Sequence, residues 1–281
     1  MKTVYHYFGR YGEEFQKMLD EQRIRYTVST APFDTDEPPI LSFNLESTSK
    51  NFEQQYANVS LYTKPLTIWS DYTKSEFESA LWLSIIPKRH CVEITNSEEA
   101  FFYYCRKIGY IGNVDWIHDQ EQISDLKITK VPNQTRTVFY NQDEGSGIIF
   151  ADERLKKMIT ENNLQGIIFR PTLTKTGKVR PYFYQLTSEN IIPREQIALG
   201  HGETYSECSY CYSKQIILDN THPLYLKGPA ENMTSDFYVT ASIFGTGIAH
   251  PKYLISHRFY QCLKNEKMTY SLHIEPVFFE I

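Results

Sequence analysis

The chain has little cysteine: five residues in 281, an odd number, with only Cys208 and Cys211 close together. That excludes a dense disulfide framework and fits a reducing compartment. No stretch approaches the roughly 18 consecutive apolar residues of a membrane span. Met1–Tyr7 lacks the apolar run of a secretory leader. There is no lysine- or arginine-rich run, and the net charge of −5 excludes a general affinity for nucleic-acid backbone. The P-loop, the H-E-x-x-H zinc helix and the G-x-S-x-G nucleophile turn are all missing. Gly245-Thr246-Gly247 has His250 where a dinucleotide loop needs its third glycine. His90 and Cys91 are neighbours, and neighbours on a strand point to opposite faces, which makes a poor nucleophile–base pair. No reaction can be read from these residues.

Hydrophobic residues at 41% and charged residues at 22% describe an ordinary globular chain. The 21 tyrosines suit half-buried strands first and protein interfaces second. Arg10 to Gln22 has Phe15, Met18 and Leu19 on one helical face, and Ile24, Tyr26 and Val28 then alternate as on a strand. Thr73-Lys74-Ser75-Glu76 has the form of a capping box, and Asn96-Ser97-Glu98-Glu99 resembles one. Val179 to Leu186 reads as a strand whose Pro181 marks an edge or a bulge. The pattern predicts an α+β fold, with mixed, largely antiparallel sheets flanked by four or five helices. The turn-rich stretch Gln142–Gly147 divides the chain into residues 1–144 and 145–281, with a single domain as the alternative.

A helix–strand–proline unit occurs twice in the second half. The first runs from Ile149-Phe150-Ala151-Asp152 through Leu155, Met158 and Ile159 to Ile167-Ile168-Phe169-Arg170-Pro171. The second runs from Leu254-Ile255-Ser256-His257 through Phe259, Cys262 and Leu263 to Leu272-His273-Ile274-Glu275-Pro276. The helices are offset by 104 residues and the strands by 105, which weakens a reading as simple duplication. Asp152 and Glu153 are placed to cap the first helix. His257, at the corresponding place in the second, reads as an ordinary surface histidine.

Between these units lie His201, Cys208, Cys211 and His222. Two thiolates at C-x-x-C spacing can bind one tetrahedral zinc, and the two histidines would complete a four-ligand structural site. Two small core cysteines are the competing reading, and a redox pair the third.

Ile149-Phe150-Ala151-Asp152-Glu153-Arg154-Leu155 with Leu164-Gln165-Gly166-Ile167-Ile168-Phe169-Arg170-Pro171, and upstream Asp71–Ala80, resemble bacterial immunity proteins of polymorphic toxin systems. One branch of that group carries two C-x-x-C-G motifs. Here Cys208/Cys211 resembles one of them, with Tyr212 in place of the glycine and no second pair. The resemblance implies a non-enzymatic cytoplasmic protein that neutralises a cognate toxin by direct binding, without membrane or nucleic-acid partners and without catalytic residues. Opposite charge would then favour a basic toxin. An enzyme with a site dispersed along the chain and a zinc-stabilised regulatory or scaffold protein remain the alternatives.

Overall fold

The computed structural model describes residues 1–29, 40–63, 65, 67–88, 90–103, 110–111, 114–115, 120–130, 139–142, 148–198, 204–207, 214–217, 223–244 and 250–280. The fold is α+β with mostly antiparallel sheets, and no described helix is long and apolar enough to cross a membrane. Two compact units are present, Met1–Glu76 and Phe77–Leu218 with Pro223–Ile281. The expected division at 144/145 falls among residues 143–147, outside the described residues.

The first unit contains β1 (Lys2–Arg10), α1 (Glu13–Glu21), β2 (Tyr26–Ser29), β3 (Ile40–Glu46), α2 (Phe52–Ser60) and β4 (Thr67–Asp71). Its sheet has the order β2-β3-β1-β4. Tyr5 and Tyr7 on β1 share a face with Leu41, Phe43 and Leu45 on β3, and Phe15 and Leu19 of α1 cover that face. The helix α3 (Lys74–Ser79) opens with the expected capping box. The Thr73 N–H donates to Glu76 Oε2 at 2.8 Å and the Glu76 N–H donates to Thr73 Oγ1 at 3.2 Å. The Met1 ammonium and the Thr73 amide together hold the Glu76 carboxyl below the ordinary carboxylate range.

In the second unit the chain runs through β5 (Trp82–Pro87), β6 (His90–Ile94), β7 (Ile128–Lys130), β8 (Phe139–Gln142), β9 (Ile149–Asp152), α4 (Glu153–Glu161), β10 (Ile168–Leu173) and β11 (Val179–Thr187). It continues through β12 (Thr204–Glu207), β13 (Lys214–Ile217), β14 (Phe237–Phe244), β15 (His250–Ser256), α5 (His257–Asn265) and β16 (Leu272–Pro276). Asn96 stands before a single helical turn, Ser97–Ala100, but its side chain is used elsewhere. It bridges the Asp125 carbonyl and the Lys127 amide, because a buried carboxamide can serve both at once.

One sheet has the order β7-β6-β8-β9-β11-β10, and its two edges meet. Lys127 bridges Leu173, the Leu173 N–H donates to the Leu126 carbonyl at 2.8 Å, and Arg180 donates to the Ile128 carbonyl at 2.9 Å. The curled sheet encloses Leu126, Ile128, Phe150 and Phe183, the two phenylalanines stacked at 5.7 Å. The other large sheet runs β12-β13-β14-β15-β5-β16. A shared core lies between the two sheets. Ile149, Ala151 and Leu186 come from the first, Leu83, Ile85, Tyr253 and Ile255 from the second, and α4 and α5 insert Leu155, Met158, Ile159, Phe259 and Leu263.

The twin units therefore face one core, and their strand rows correspond. Gln185 on β11 joins Phe150 to Arg170, as Ser84 on β5 joins Leu254 to Glu275. The one-residue disagreement in offset has a local cause. Two residues, Gln165 and Gly166, separate Leu164 from Ile167, the counterpart of Leu272 in this register, whereas three residues, Thr269–Ser271, form a 3-10 turn between Met268 and Leu272. The middle strand differs in origin. In the first copy it comes next in sequence, but in the second it is β5, from more than 160 residues upstream.

A third copy of this helix exit sits in the first unit. α1, α4 and α5 each have nine residues, and each ends in a left-handed residue: Arg23 at φ 55°, Asn163 at φ 50° and Lys267 at φ 57°. The next amide returns to the helix, Ile24 to the Leu19 carbonyl, Leu164 to Ile159 and Met268 to Leu263, at 2.9, 3.0 and 2.8 Å. This is the Schellman arrangement, which satisfies orphan carbonyls and packs an apolar residue back on the last turn. Glycine is the residue with no steric cost at the left-handed position. Lys267→Gly should therefore raise unfolding free energy by about 1 kcal/mol, read from urea denaturation.

Asp236 ties the twin units together. Its buried carboxylate accepts from the Gln165 N–H at 2.9 Å and from the Ser256 hydroxyl at 2.6 Å, and lies 3.5 Å from Arg258. Arg258 also donates to the Asn162 carbonyl, and Ser256 itself caps α5 through the Phe259 N–H at 3.1 Å. In the first copy Asp152 supplies cap and counter-charge together, accepting from the Arg154 and Leu155 amides and pairing with the Arg154 guanidinium at 2.5 Å. Asp236→Ala should cost about 3 kcal/mol of stability in the same denaturation assay, since it strips a buried network of its acceptor carboxylate and strands its donors. A loss under about 1 kcal/mol would contradict the clasp.

Candidate functional site

His201, Cys208, Cys211 and His222 lie outside the described residues, so no donor geometry joins them to an ion. The flanking strands β12 and β13 pair antiparallel with Glu207 opposite Lys214, and Cys208 and Cys211 fall in the link between them. Among the described residues no cluster of three or more His, Cys, Asp or Glu side chains could hold a metal.

A serine, a carboxylate and a histidine do meet at β5 and β16. Ser84 faces Glu275 across the strand pair, and His273 Nε2 lies 3.1 Å from Glu275 Oε1. Ser84 is 2% exposed, and its hydroxyl and the second Glu275 oxygen have no hydrogen-bond partner among the described residues. A hydroxyl sealed from solvent is also sealed from substrate, so this trio does not form an accessible nucleophile. His257 is not a loose surface side chain. It is half-buried, with Nδ1 2.9 Å from the Ala80 carbonyl and Nε2 2.8 Å from the Gln261 amide, and its backbone N–H donates to Leu81. It fastens the entry to β5.

The first unit carries an open cleft of about 580 Å³. It lies where β2 diverges from β3: pairing stops at Tyr26 and Phe43, leaving Arg23, Arg25, Asn44 and Glu46 along the gap, with His6 behind them. His6 Nδ1 is 2.8 Å from Asn44 Oδ1, and Glu46 is paired with Lys2 at 2.9 Å. The cleft is polar and shallow, and it brings together no nucleophile with a base.

The hairpin of β10 and β11 is built differently. Its turn closes through the Thr174 N–H to the Lys178 carbonyl at 2.7 Å, with Gly177 at φ +81°. Farther along, Pro171 opposes Tyr184 but Thr172 opposes Arg180, so Pro181–Phe183 are extra on one strand. Pro181 thus marks a bulge, the second of the two expected outcomes, and β11 is paired on both sides. Buried Thr172 closes the bulge by donating to the Phe183 carbonyl at 2.9 Å. Phe183 turns into the curled sheet. Tyr184 is held on the other face, donating to Glu153 Oε2 at 2.7 Å beneath Lys156 Nζ, which is 4.0 Å from its ring centroid. Burial and the bond to Glu153 push the Tyr184 hydroxyl above the usual tyrosine range.

Tyr182 is left between them, 63% exposed, at φ 62°, with no hydrogen-bond or ring partner among the described residues. A bulky residue in the left-handed region is strained by roughly 1–3 kcal/mol. Sequence reasoning found the bulge through Pro181 but not this tyrosine, because nothing in the pattern Val-Arg-Pro-Tyr-Phe-Tyr shows which ring turns outward. Tyr182→Gly should stabilise the protein by about 1 kcal/mol in urea denaturation, since glycine adopts this conformation freely. An unchanged or lowered stability would mean that the backbone is not strained there. Compared with known proteins, the chain matches no family model and no curated protein.

Proposed function

We propose that this chain is a non-enzymatic cytoplasmic binding protein whose role is immunity: it neutralises a bacterial toxin by direct contact. Tyr182 carries the reading. An exposed aromatic kept in a strained conformation, where glycine or asparagine would be comfortable, is costly to the fold, and such strain collects at functional positions. Tyrosine is among the residues that dominate protein-interface energetics, because it offers a large rigid area with little entropy to lose. The segments resembling the immunity group fit the same place. Ile149–Leu155 and Leu164–Pro171 form β9, the start of α4 and the first strand of the hairpin that carries Tyr182. The sealed hydroxyl of Ser84 and the shallow cleft of the first unit give an enzyme reading less to stand on.

The test is genetic and direct. The C-terminal domain of a secreted multidomain protein encoded immediately upstream should form a stable complex with this chain and should stop growth when expressed alone. Co-expression of this chain should restore growth. A domain that this chain neither binds nor neutralises would sink the immunity role.

A further inference from the structure

Charge along the second unit is unevenly distributed. Residues 162–188 contain Arg170, Lys175, Lys178 and Arg180 and no carboxylate, so the rest of the chain carries −9 against a whole-chain value of −5. The fold gathers these four cations on β10, β11 and their turn, and none of them has an ion-pair partner among the described residues. Lys175 and Lys178 are exposed at the tip, while Arg180 also holds the sheet edge through the Ile128 carbonyl. Next to these cations along the hairpin lie exposed Val179, Pro181 and Tyr182, with Val179 64% exposed.

We infer that the β10–β11 hairpin is the contact surface for an acidic patch on a partner protein, with Tyr182 as the central anchor. The inference rests on the binding-protein reading above and names its surface and the chemistry of its partner. Exposed apolar and aromatic residues beside charged ones are the mixture that protein interfaces use. Backbone-tracking nucleic-acid sites instead pair basic grooves with several free stacking rings. Here only Tyr182 is free, since Tyr184 is fixed between Glu153 and Lys156, so the hairpin lacks the row of rings that such a site stacks bases on. Net charge governs approach, but at contact the Debye length of about 8 Å makes the local cations decisive. The basic toxin expected from net charge is thereby narrowed to a protein that presents an acidic face to this hairpin.

The full chain should be titrated with a 20-residue polyglutamate and, separately, with a 20-mer of thymidylate at low salt, with amide exchange mapping the contact. Polyglutamate should protect residues 174–182 and bind at least tenfold more weakly to the Lys175→Glu/Lys178→Glu variant. Tyr182→Gly should raise Tm by about 2–4 °C, yet weaken the upstream-encoded toxin domain at least tenfold. A merely structural tyrosine would move Tm and leave binding alone. Absent polyglutamate binding, equal binding by the charge-reversed variant, or tighter binding of thymidylate would each overturn the surface. A toxin domain held equally by wild type and both variants would overturn the surface and keep the immunity role. A wild-type chain that ignores the toxin domain while seating polyglutamate on the hairpin would do the reverse.

Discussion

One buried carboxylate organises the second unit. Asp236 holds the turn that leaves α4 through the Gln165 amide and the start of α5 through the Ser256 hydroxyl, so the exit of one helix and the entry of the next share an acceptor. Charge-assisted bonds of this kind are short and directional, and inside a protein their loss leaves donors that cannot find water. Gly166 shows how tight the junction is. It sits at φ +90°, and a Cβ there would approach the Phe237 carbonyl oxygen to 2.7 Å. The shared apolar core depends on this clasp, because it sets where the two helices lie above the two sheets.

Around the clasp the molecule uses one local solution repeatedly. A strand leads into a nine-residue helix with its apolar face toward the sheet, and a left-handed residue turns the chain back under the last turn. The same exit in both units points to sound local physics, independent of any shared function. The copies differ in the segment that each exit feeds. After α1 it leads to the edge strand β2 and the open cleft. After α4 it leads to the hairpin with its bulge and outward tyrosine. After α5 it leads to the row containing buried Ser84 and Glu275.

Much of the fold could be read from residue spacing. The apolar triplets Phe15/Met18/Leu19, Leu155/Met158/Ile159 and Phe259/Cys262/Leu263 announced three helices, while Thr73/Glu76 and Asp152 announced caps. The helix exits were harder to see because arginine, asparagine and lysine occupy positions where glycine would have served as a flag. The strand Trp82–Pro87 was not foreseen, because its place between β15 and β16 depends on long-range pairing that no nearby residue encodes. The basic hairpin was hidden for a different reason. Its cations stand singly at 170, 175, 178 and 180, never as a run, and a whole-chain sum of −5 conceals them. The cysteine–histidine constellation drew attention by its chemistry, yet Tyr182 drew none, since a tyrosine among tyrosines has no distinctive spacing.

The borrowed middle strand sets the order in which the protein can be completed during synthesis. Trp82–Pro87 is apolar on both faces and reaches its partners His250–Ser256 and Leu272–Pro276 only after some 160 further residues have been added. At about 5–20 residues per second, that strand waits on the order of ten seconds or more beside the ribosome with both edges unpaired. The second unit therefore closes late, after translation has passed α5. Its growing chain depends through that interval on whatever shields a short hydrophobic strand from its neighbours.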